Sequence, residues 1–484
     1  MGAVVLSTIT VDVGTTSVKL CLFGADGELL ASARRPTPTV PDEVGEVYDL
    51  PEVLACVTTF VQGLPPDRRA EVARIALTGV GESGGLVRAD TSLASPMILW
   101  HDQRGLDRLA RLTPEQRRRV YRVTGLPVSG NYALSKVAWA VERAVDADGA
   151  LWLNVSEHLA ALMTGERWAE PSLASRTMAL DLSTRTWSPE VCAMVGLDVG
   201  VFPPLRAASE GRPVTADFAQ VVGLGPDVLV HVAGHDHMVG AAGADLGPGE
   251  LLNSTGTTEG LLLLQDAPSL DERTERTRLA NGLACAGPGW TLFASIPTGG
   301  SAFATLQGLL GLDADRLSAY VLDLHARYVR DELDLEAAPL VLPQFRGSPP
   351  PRKDPTARGL VSGLGSGTTA EELVLGCFLG LVLQQSDVLE LFPSAARRVK
   401  VIGPASGNPL WLQLKADLLG TPLSASRFPE VVSRGAQALA SGTTGSWEQT
   451  EPRDVDVDPR RHARLAEWRD AVRPRWEHLK ATPA

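Results

Sequence analysis

Two short strings constrain this chain more than anything else in it. Asp12-Val13-Gly14-Thr15-Thr16 sits between apolar runs at 8–11 and 18–23, and Ser254-Thr255-Gly256-Thr257-Thr258 sits between Leu251-Leu252 and an apolar run at 260–264. Each reads as strand, tight turn, strand. Glycine lets the backbone approach an anion closely. Threonine hydroxyls and successive backbone N–H groups can then donate to phosphate oxygens. One Gly-Thr-Thr alone is ordinary hairpin chemistry. Two in one chain, the first with Asp12 ending a buried strand and Lys19 on the returning strand, point to a polyphosphate held between duplicated lobes.

The chain is long enough for such a duplication. Its 484 residues allow two or three domains of roughly 150 residues, each with its own core. The net charge of -12 argues against a nucleic-acid or anionic-membrane surface. Arg117-Arg118-Arg119, beside Glu115 and Gln116, reads as a solvated helix face. The five cysteines are odd in number, widely spaced and mostly in apolar runs, which fits reduced thiols in a cytoplasmic protein. No signal-peptide pattern and no apolar run of about 18 residues is expected to take the chain into or across a membrane.

Residues 4–36 read as a three-strand meander, 51–63 as a helix begun by Pro51, and 75–80 as a buried strand ending in the loop Gly81-Glu82-Ser83-Gly84-Gly85. Residues 97–100 read as a strand running into His101-Asp102-Gln103-Arg104, with helices at 105–122 and 134–148. A strand at 229–233 stops at Gly234-His235-Asp236-His237, and a small-residue helix follows. Residues 245–264 then restart the N-terminal pattern, an internal repeat that places a domain boundary near residue 245. Further helices are predicted at 301–310, 316–330, 369–392 and 408–419, and a strand at 399–403. The Pro-rich stretch 348–355 reads as an ordered loop or lid, and residues 446–484 as a terminal surface helix.

These motifs, in this order, resemble the FGGY carbohydrate kinases from about residue 8 to about residue 445. Asp12 to Lys19 resembles the family's first phosphate motif, and Trp100-His101-Asp102-Gln103-Arg104 its Trp-x-Asp-x-Arg strand end. Leu162 to Glu166, followed by Ala174-Ser175 and Trp187, resembles the mid-domain stretch of xylulokinases. Gly234 to His237 resembles the strand end bearing the catalytic acid, and Ser254 to Thr258 the second phosphate motif. Gly359 to Leu364 resembles part of the C-terminal signature, and Ile402-Gly403 to Asn408 with Gln413, Ala416 and Asp417 the adenosine loop and its helix.

The resemblance implies an α/β fold of two actin-like, ribonuclease-H-like (ASKHA) domains with a catalytic cleft between them. The expected division is an acceptor domain at 1–244, a nucleotide domain at 245–445 and a helical tail at 446–484. The implied activity is transfer of the γ-phosphoryl of ATP, with Mg²⁺, to a hydroxyl of a small sugar or polyol, and homodimers are common in the family. A xylulose-like ketose, pentulose or hexulose, is the expected acceptor. A linear polyol such as a tetritol is the alternative that Glu82 suggests.

Asp236 is the expected general base. In a loose, metaphosphate-like transition state its main work is orienting the acceptor hydroxyl. Asp12, with Asp236 nearby, is the expected Mg²⁺ site, since Mg²⁺ favours one or two carboxylates plus phosphate oxygens. Gly14, Thr15, Thr16, Lys19, Gly256, Thr257, Thr258 and Gly300 are assigned to the phosphates, and Gly403 and Asn408 to the adenosine. Glu82, Trp100, Asp102, Asn131, His235 and His237 are the candidate acceptor residues. By strand alternation the two histidines would point opposite ways unless the chain turns there. Arg104 is expected to pair with Asp102. His235-Asp236-His237 lacks a third ligand at helical spacing, which makes it a poor transition-metal site.

The chain departs from the family's pattern in three places. Pro404 stands where the adenosine loop usually has glycine, which leaves open a catalytically weak, sugar-binding regulatory homologue. Gly81 stands where glycerol kinases carry arginine, and Asn131 where they carry tyrosine; both argue against glycerol.

Overall fold

A computed structural model describes residues 6–482. The first lobe is built on six strands: β1 (Ser7–Val13), β2 (Ser17–Phe23), β3 (Leu29–Pro36), β4 (Val72–Gly79), β5 (Arg212–Pro213) and β6 (Leu229–His235), in the order β5-β6-β4-β1-β2-β3. The second has seven: β7 (Glu250–Thr255), β8 (Glu259–Gln265), β9 (Ala280–Leu283), β10 (Trp290–Ile296), β11 (Arg398–Ile402), β12 (Leu423–Ala425) and β13 (Arg453–Val455), in the order β9-β10-β8-β7-β11-β12-β13.

The two sheets share one plan. β1-β2-β3 and β7-β8-β10 are antiparallel meanders. Each first strand is then flanked by two parallel strands, β4 and β6 in one lobe, β11 and β12 in the other. The duplicated α/β architecture expected from the repeat is therefore present. Alternation explains the burial within β1: Ile9, Val11 and Val13 join the core that also holds Leu20, Leu22, Ile75 and Leu77, while Thr8, Thr10 and Asp12 take the other face.

The lobes meet where the repeat begins. The helix Asp236–Gly243, which continues β6, crosses the helix Val431–Ser441, and the latter packs on β1, β4 and β6 of the first sheet. The crossing is at two glycines. A Cβ on Gly243 would lie 2.2 Å from the Val431 carbonyl oxygen, and one on Gly435 would lie 2.1 Å from that of Val239. No larger residue fits either backbone approach.

Several local expectations change. Residues 97–100 form no strand; Ile98 makes only single bridges to Val47 and Gly84, and Trp100 already lies in a turn. The 105–122 segment is two helices, Leu106–Ala110 and Pro114–Thr124, because Thr113 caps the second in a reciprocal capping box with Gln116 and Pro114 opens it. The helix predicted over 134–148 ends at Arg143.

The C-terminal tail is more than a surface helix. β13 extends the second sheet, and the helix Pro459–Ala481 buries Leu465, Trp468, Val472 and Trp476, spaced as one apolar stripe, in the second lobe's core. Among the described residues one helix, Ala370–Leu389, is long and apolar enough to cross a membrane, and 78% of its apolar window is buried inside that same lobe.

Candidate active site

Both Gly-Thr-Thr turns present their tips to solvent. Thr15 and Thr16 are exposed beyond β1, and Gly256 and Thr257 beyond β7. Asp12 and Lys19 are cross-strand partners in the β1–β2 register, so their side chains share a face, and Lys19 Nζ donates to Asp12 Oδ2 over 3.3 Å. The neighbouring Asp12 charge raises the Lys19 pKa, although burial opposes it. Lys19 also lies 3.6 Å from Glu430, which precedes the inter-lobe helix.

The second hairpin is braced from behind. Gly300 and Ser301 donate backbone N–H groups to the carbonyls of Gly256 (2.8 Å) and Thr257 (3.1 Å), and Thr255 Oγ1 donates to the Ile402 carbonyl (2.8 Å). Gly403 follows at φ +97°, where a Cβ would come within 2.6 Å of the Thr255 carbonyl. Pro404 opens a short 3-10 turn, Pro404–Gly407, a position that needs no N–H donor. The departure from glycine is thus accommodated locally. Asn408 caps the next helix by accepting the Trp411 N–H at 2.9 Å.

Asp236 stands where the two halves meet, at the first residue of its helix, with His235 as the N-cap. Gly234, at φ +124°, makes that strand end possible: a Cβ there would lie 2.5 Å from Ser172 Oγ and 2.6 Å from Cys285 Sγ. Asp236 Oδ1 accepts the His237 N–H at 2.7 Å. About 24% of its side chain remains open to the cleft. Burial lifts its pKa to about 6; His235 opposes the rise, and Asp12 and Glu82 add to it. Burial likewise depresses His235 to about 3 and His237 to about 4, so both rings are neutral near pH 7.

This ordering makes a pH prediction. A base needs an ionised carboxylate, so kcat/KM for the acceptor at saturating nucleotide should fall about tenfold per pH unit below about 6. The neighbouring histidines contribute no limb between pH 5 and 8. A profile flat from pH 7 down to pH 5 would remove Asp236 from the base role.

The chain does turn at Asp236. The rings of His235 and His237 stack 5.5 Å apart at 26° rather than pointing opposite ways. Their partners differ. His237 Nδ1 meets Ser254 Oγ at 2.8 Å, tying the first lobe to the second hairpin. His235 turns toward Glu82, whose Oε2 is 3.9 Å from its Nε2. No group of three metal-ligating side chains occurs among the described residues.

The other acceptor candidates divide. Trp100 Nε1 donates to Thr15 Oγ1 at 3.0 Å, joining the first Gly-Thr-Thr turn. Both oxygens of Asp102 are taken by Arg104, through its backbone N–H (2.8 Å) and Nε (2.9 Å), and Arg104 also forks onto Asp42. Asn131 is exposed and accepts from Gln103 at 3.0 Å. Glu82 and His235 are therefore brought together, whereas Asp102 and Asn131 have their side chains engaged elsewhere.

Sequence reasoning missed Arg176. Its Nε and Nη2 both donate to Glu82 Oε1, at 2.9 and 2.7 Å, and its guanidinium lies over the rings of Tyr132 (5.2 Å) and Phe293 (5.6 Å). It also explains Gly81: a Cβ there would fall 2.1 Å from His235 Cδ2 and 2.9 Å from Arg176 Cγ. The guanidinium beside Glu82 arrives from residue 176, and nothing larger than glycine fits at 81. Its only sequence signal is adjacency to Ala174-Ser175.

Comparison with known proteins agrees with this layout. Residues 7–243 match the N-terminal domain of the FGGY family of carbohydrate kinases, and residues 251–443 match its C-terminal domain. The chain is 28% identical over 457 residues to a glycerol kinase of Citrifermentans bemidjiense, covering 89% of each. Its fold is similar to a gluconate kinase of Lactobacillus acidophilus (TM-score 0.81, 18% identity, 97% of this chain and 98% of that one) and to a ligand-bound xylulose kinase of the same organism (0.82, 18%, 96% and 98%). With both family domains matched in order over nearly its whole length, the chain belongs to the FGGY family of carbohydrate kinases and is an ATP-dependent phosphotransferase.

Proposed function

We propose that this kinase transfers the γ-phosphoryl of ATP to a hydroxyl of a small polyhydroxy acceptor, a xylulose-like ketose or an open-chain polyol, with Asp236 as general base. The observation that carries this reading is the position of Asp236, a cleft-facing carboxylate at the start of the inter-lobe helix. Asp12 of the first hairpin is close enough for its charge to act on Asp236, and Ser254 of the second is bonded to the next residue, His237. A hydroxyl hydrogen-bonded to the free Asp236 oxygen is held in line for attack and gives up its proton as the new P–O bond forms. Residues 1–244 would hold the acceptor, residues 245–445 the nucleotide, and 446–484 would buttress the latter.

The residues present fit Mg²⁺. Asp12 Oδ1 is buried with no hydrogen-bond partner, which leaves a carboxylate oxygen at the cleft for a hydrated cation. Bound there with Asp236 nearby, Mg²⁺ would neutralise charge on the transferring phosphoryl. The turn hydroxyls and amides of Thr15, Thr16, Thr257 and Thr258 would position the phosphates, and Gly403 and Asn408 would border the nucleoside. Five free cysteines, three of them buried, support a cytoplasmic location.

Substitution at the acceptor end supports a substrate other than glycerol, because Gly81 and Asn131 replace residues of glycerol kinases and Arg176 enters from a different segment. An ADP-release screen over pentuloses, hexuloses, linear polyols and sugar acids tests the reading. Turnover of at least one acceptor is expected. Nucleotide binding by calorimetry with no turnover of any acceptor would overturn it.

A further inference from the structure

The acceptor end of the cleft carries more positive charge than a neutral sugar needs. Glu82 and Asp236 are the carboxylates near it, and Arg176 already spends two N–H groups on Glu82. The third nitrogen, Nη1, is buried without a partner on a residue only 4% exposed. Two more cations approach from the second lobe. Arg278 ends a helical turn at φ +58°, and its Nε is likewise buried and unpartnered. Lys353, on the 348–355 loop, is half-buried at φ +50° and close enough to Arg176, Arg278 and Glu82 for their charges to act on it.

Neither Arg278 nor Lys353 forms an ion pair among the described residues. Burial, and then the two arginines, pull the Lys353 pKa down to about 8, as expected of an ammonium lacking a counter-charge. The loop that carries it is held by its own bonds. Ser348 N donates to the Asp354 carbonyl (2.9 Å), and Asp354 N donates to Ser348 Oγ (2.9 Å). Unpaired buried cations are costly, and a neutral ligand would leave them so. A carboxylate would accept from Arg176 Nη1 and pair with both.

Resting on the kinase reading above, we propose that the acceptor is a sugar acid, a polyhydroxy carboxylate of the aldonate type, whose carboxylate is bound by Arg176, Arg278 and Lys353 while a hydroxyl at its other end meets Asp236. Arg176 lies with Glu82, Tyr132 and Phe293, and Arg278 is close enough to Tyr132 for its charge to act there.

The test compares four- to six-carbon aldonates with the alditols and ketoses of equal length, and with an alditol phosphate, in the ADP-release assay. Aldonates are expected to lead in kcat/KM by about 10–100-fold, the range of a charged hydrogen bond gained or lost. Lys353→Met and Arg278→Met should each raise KM for the aldonate by about tenfold and leave KM for ATP unchanged, with Lys353→Arg retaining most affinity. Preference for a neutral ketose or alditol, or for the alditol phosphate, would overturn the proposal and leave the kinase reading standing. Failure of every acceptor would overturn the kinase reading. In that case aldonate binding by calorimetry, weakened in Lys353→Met, would still support the anion subsite, and no binding would overturn it.

Discussion

Asp236→Asn should lower kcat by about 10²–10⁴-fold, the usual loss when a general base is removed. The substitution is nearly isosteric. The bond from the His237 N–H can persist to the amide oxygen, so the helix start is preserved. On the proposed assignment of the nucleotide to the two turns and the 403–408 loop, KM for ATP should change little. The acceptor KM should rise modestly, because the hydroxyl loses a charged hydrogen-bond acceptor. Single-turnover measurement separates this from a folding defect: the chemical step slows while ATP binding remains. A variant within about tenfold of the parent would mean that Asp236 orients the helix and that another group takes the proton. Asp236→Ala provides the control, since it also removes the bond to His237.

The second large effect is on stability and lies directly behind the second phosphate turn. Glu259→Gln should destabilise the fold by about 3–5 kcal/mol, the cost of stranding one member of a buried ion pair. Glu259 and Lys415 are each 1% exposed. Lys415 Nζ donates to Glu259 Oε1 at 3.0 Å and Asn253 Oδ1 at 2.8 Å, and sits 4.0 Å from the centre of the Trp411 ring. Burial depresses the Lys415 pKa, and the Glu259 carboxylate counteracts this. Without that carboxylate the ammonium has only a neutral amide and a ring face. The double variant Glu259→Gln, Lys415→Met should recover most of the loss, because it removes the charge rather than isolating it. Urea midpoints for the parent, both single variants and the double variant measure this. A single variant within about 1 kcal/mol of the parent, or a double variant no better than the singles, would refute the account. Glu259 directly follows Thr258, so the same pair anchors the strand end on which the second Gly-Thr-Thr turn stands.

The duplicated lobes were legible because their signals are local. A glycine and two threonines between apolar runs declare a hairpin in any context, and a strand stopping at Gly234 declares the position of Asp236. The turn at Asp236 was not legible: strand alternation set the two histidines apart, whereas the helix begins two residues early and stacks them. Residues 97–100 carry strand-like composition, yet only Ile98 makes β-bridges, and its neighbours find isolated backbone bonds, Met97 to Tyr48 and Leu99 to Asp102. Arg104 was correctly expected to pair with Asp102. Asp42, its second partner, lies 62 residues away and gave no sign.

By itself the sequence determined the two-lobed architecture, the two Gly-Thr-Thr hairpins, the position of Asp236 and the family, since each rests on a few contiguous residues whose backbone chemistry acts over one turn. Only the tertiary structure decided what surrounds the acceptor. Glu82 and Arg176 are 94 residues apart. Arg278 ends an unremarkable helical turn, and Lys353 sits in a Pro-rich stretch that reads only as an ordered loop or lid. Singly, each reads as an ordinary surface cation; the fold brings Arg176, Arg278 and Lys353 within range of one another and partly withdraws them from water, and that juxtaposition, which no local pattern encodes, supplies the charge of the proposed acceptor pocket.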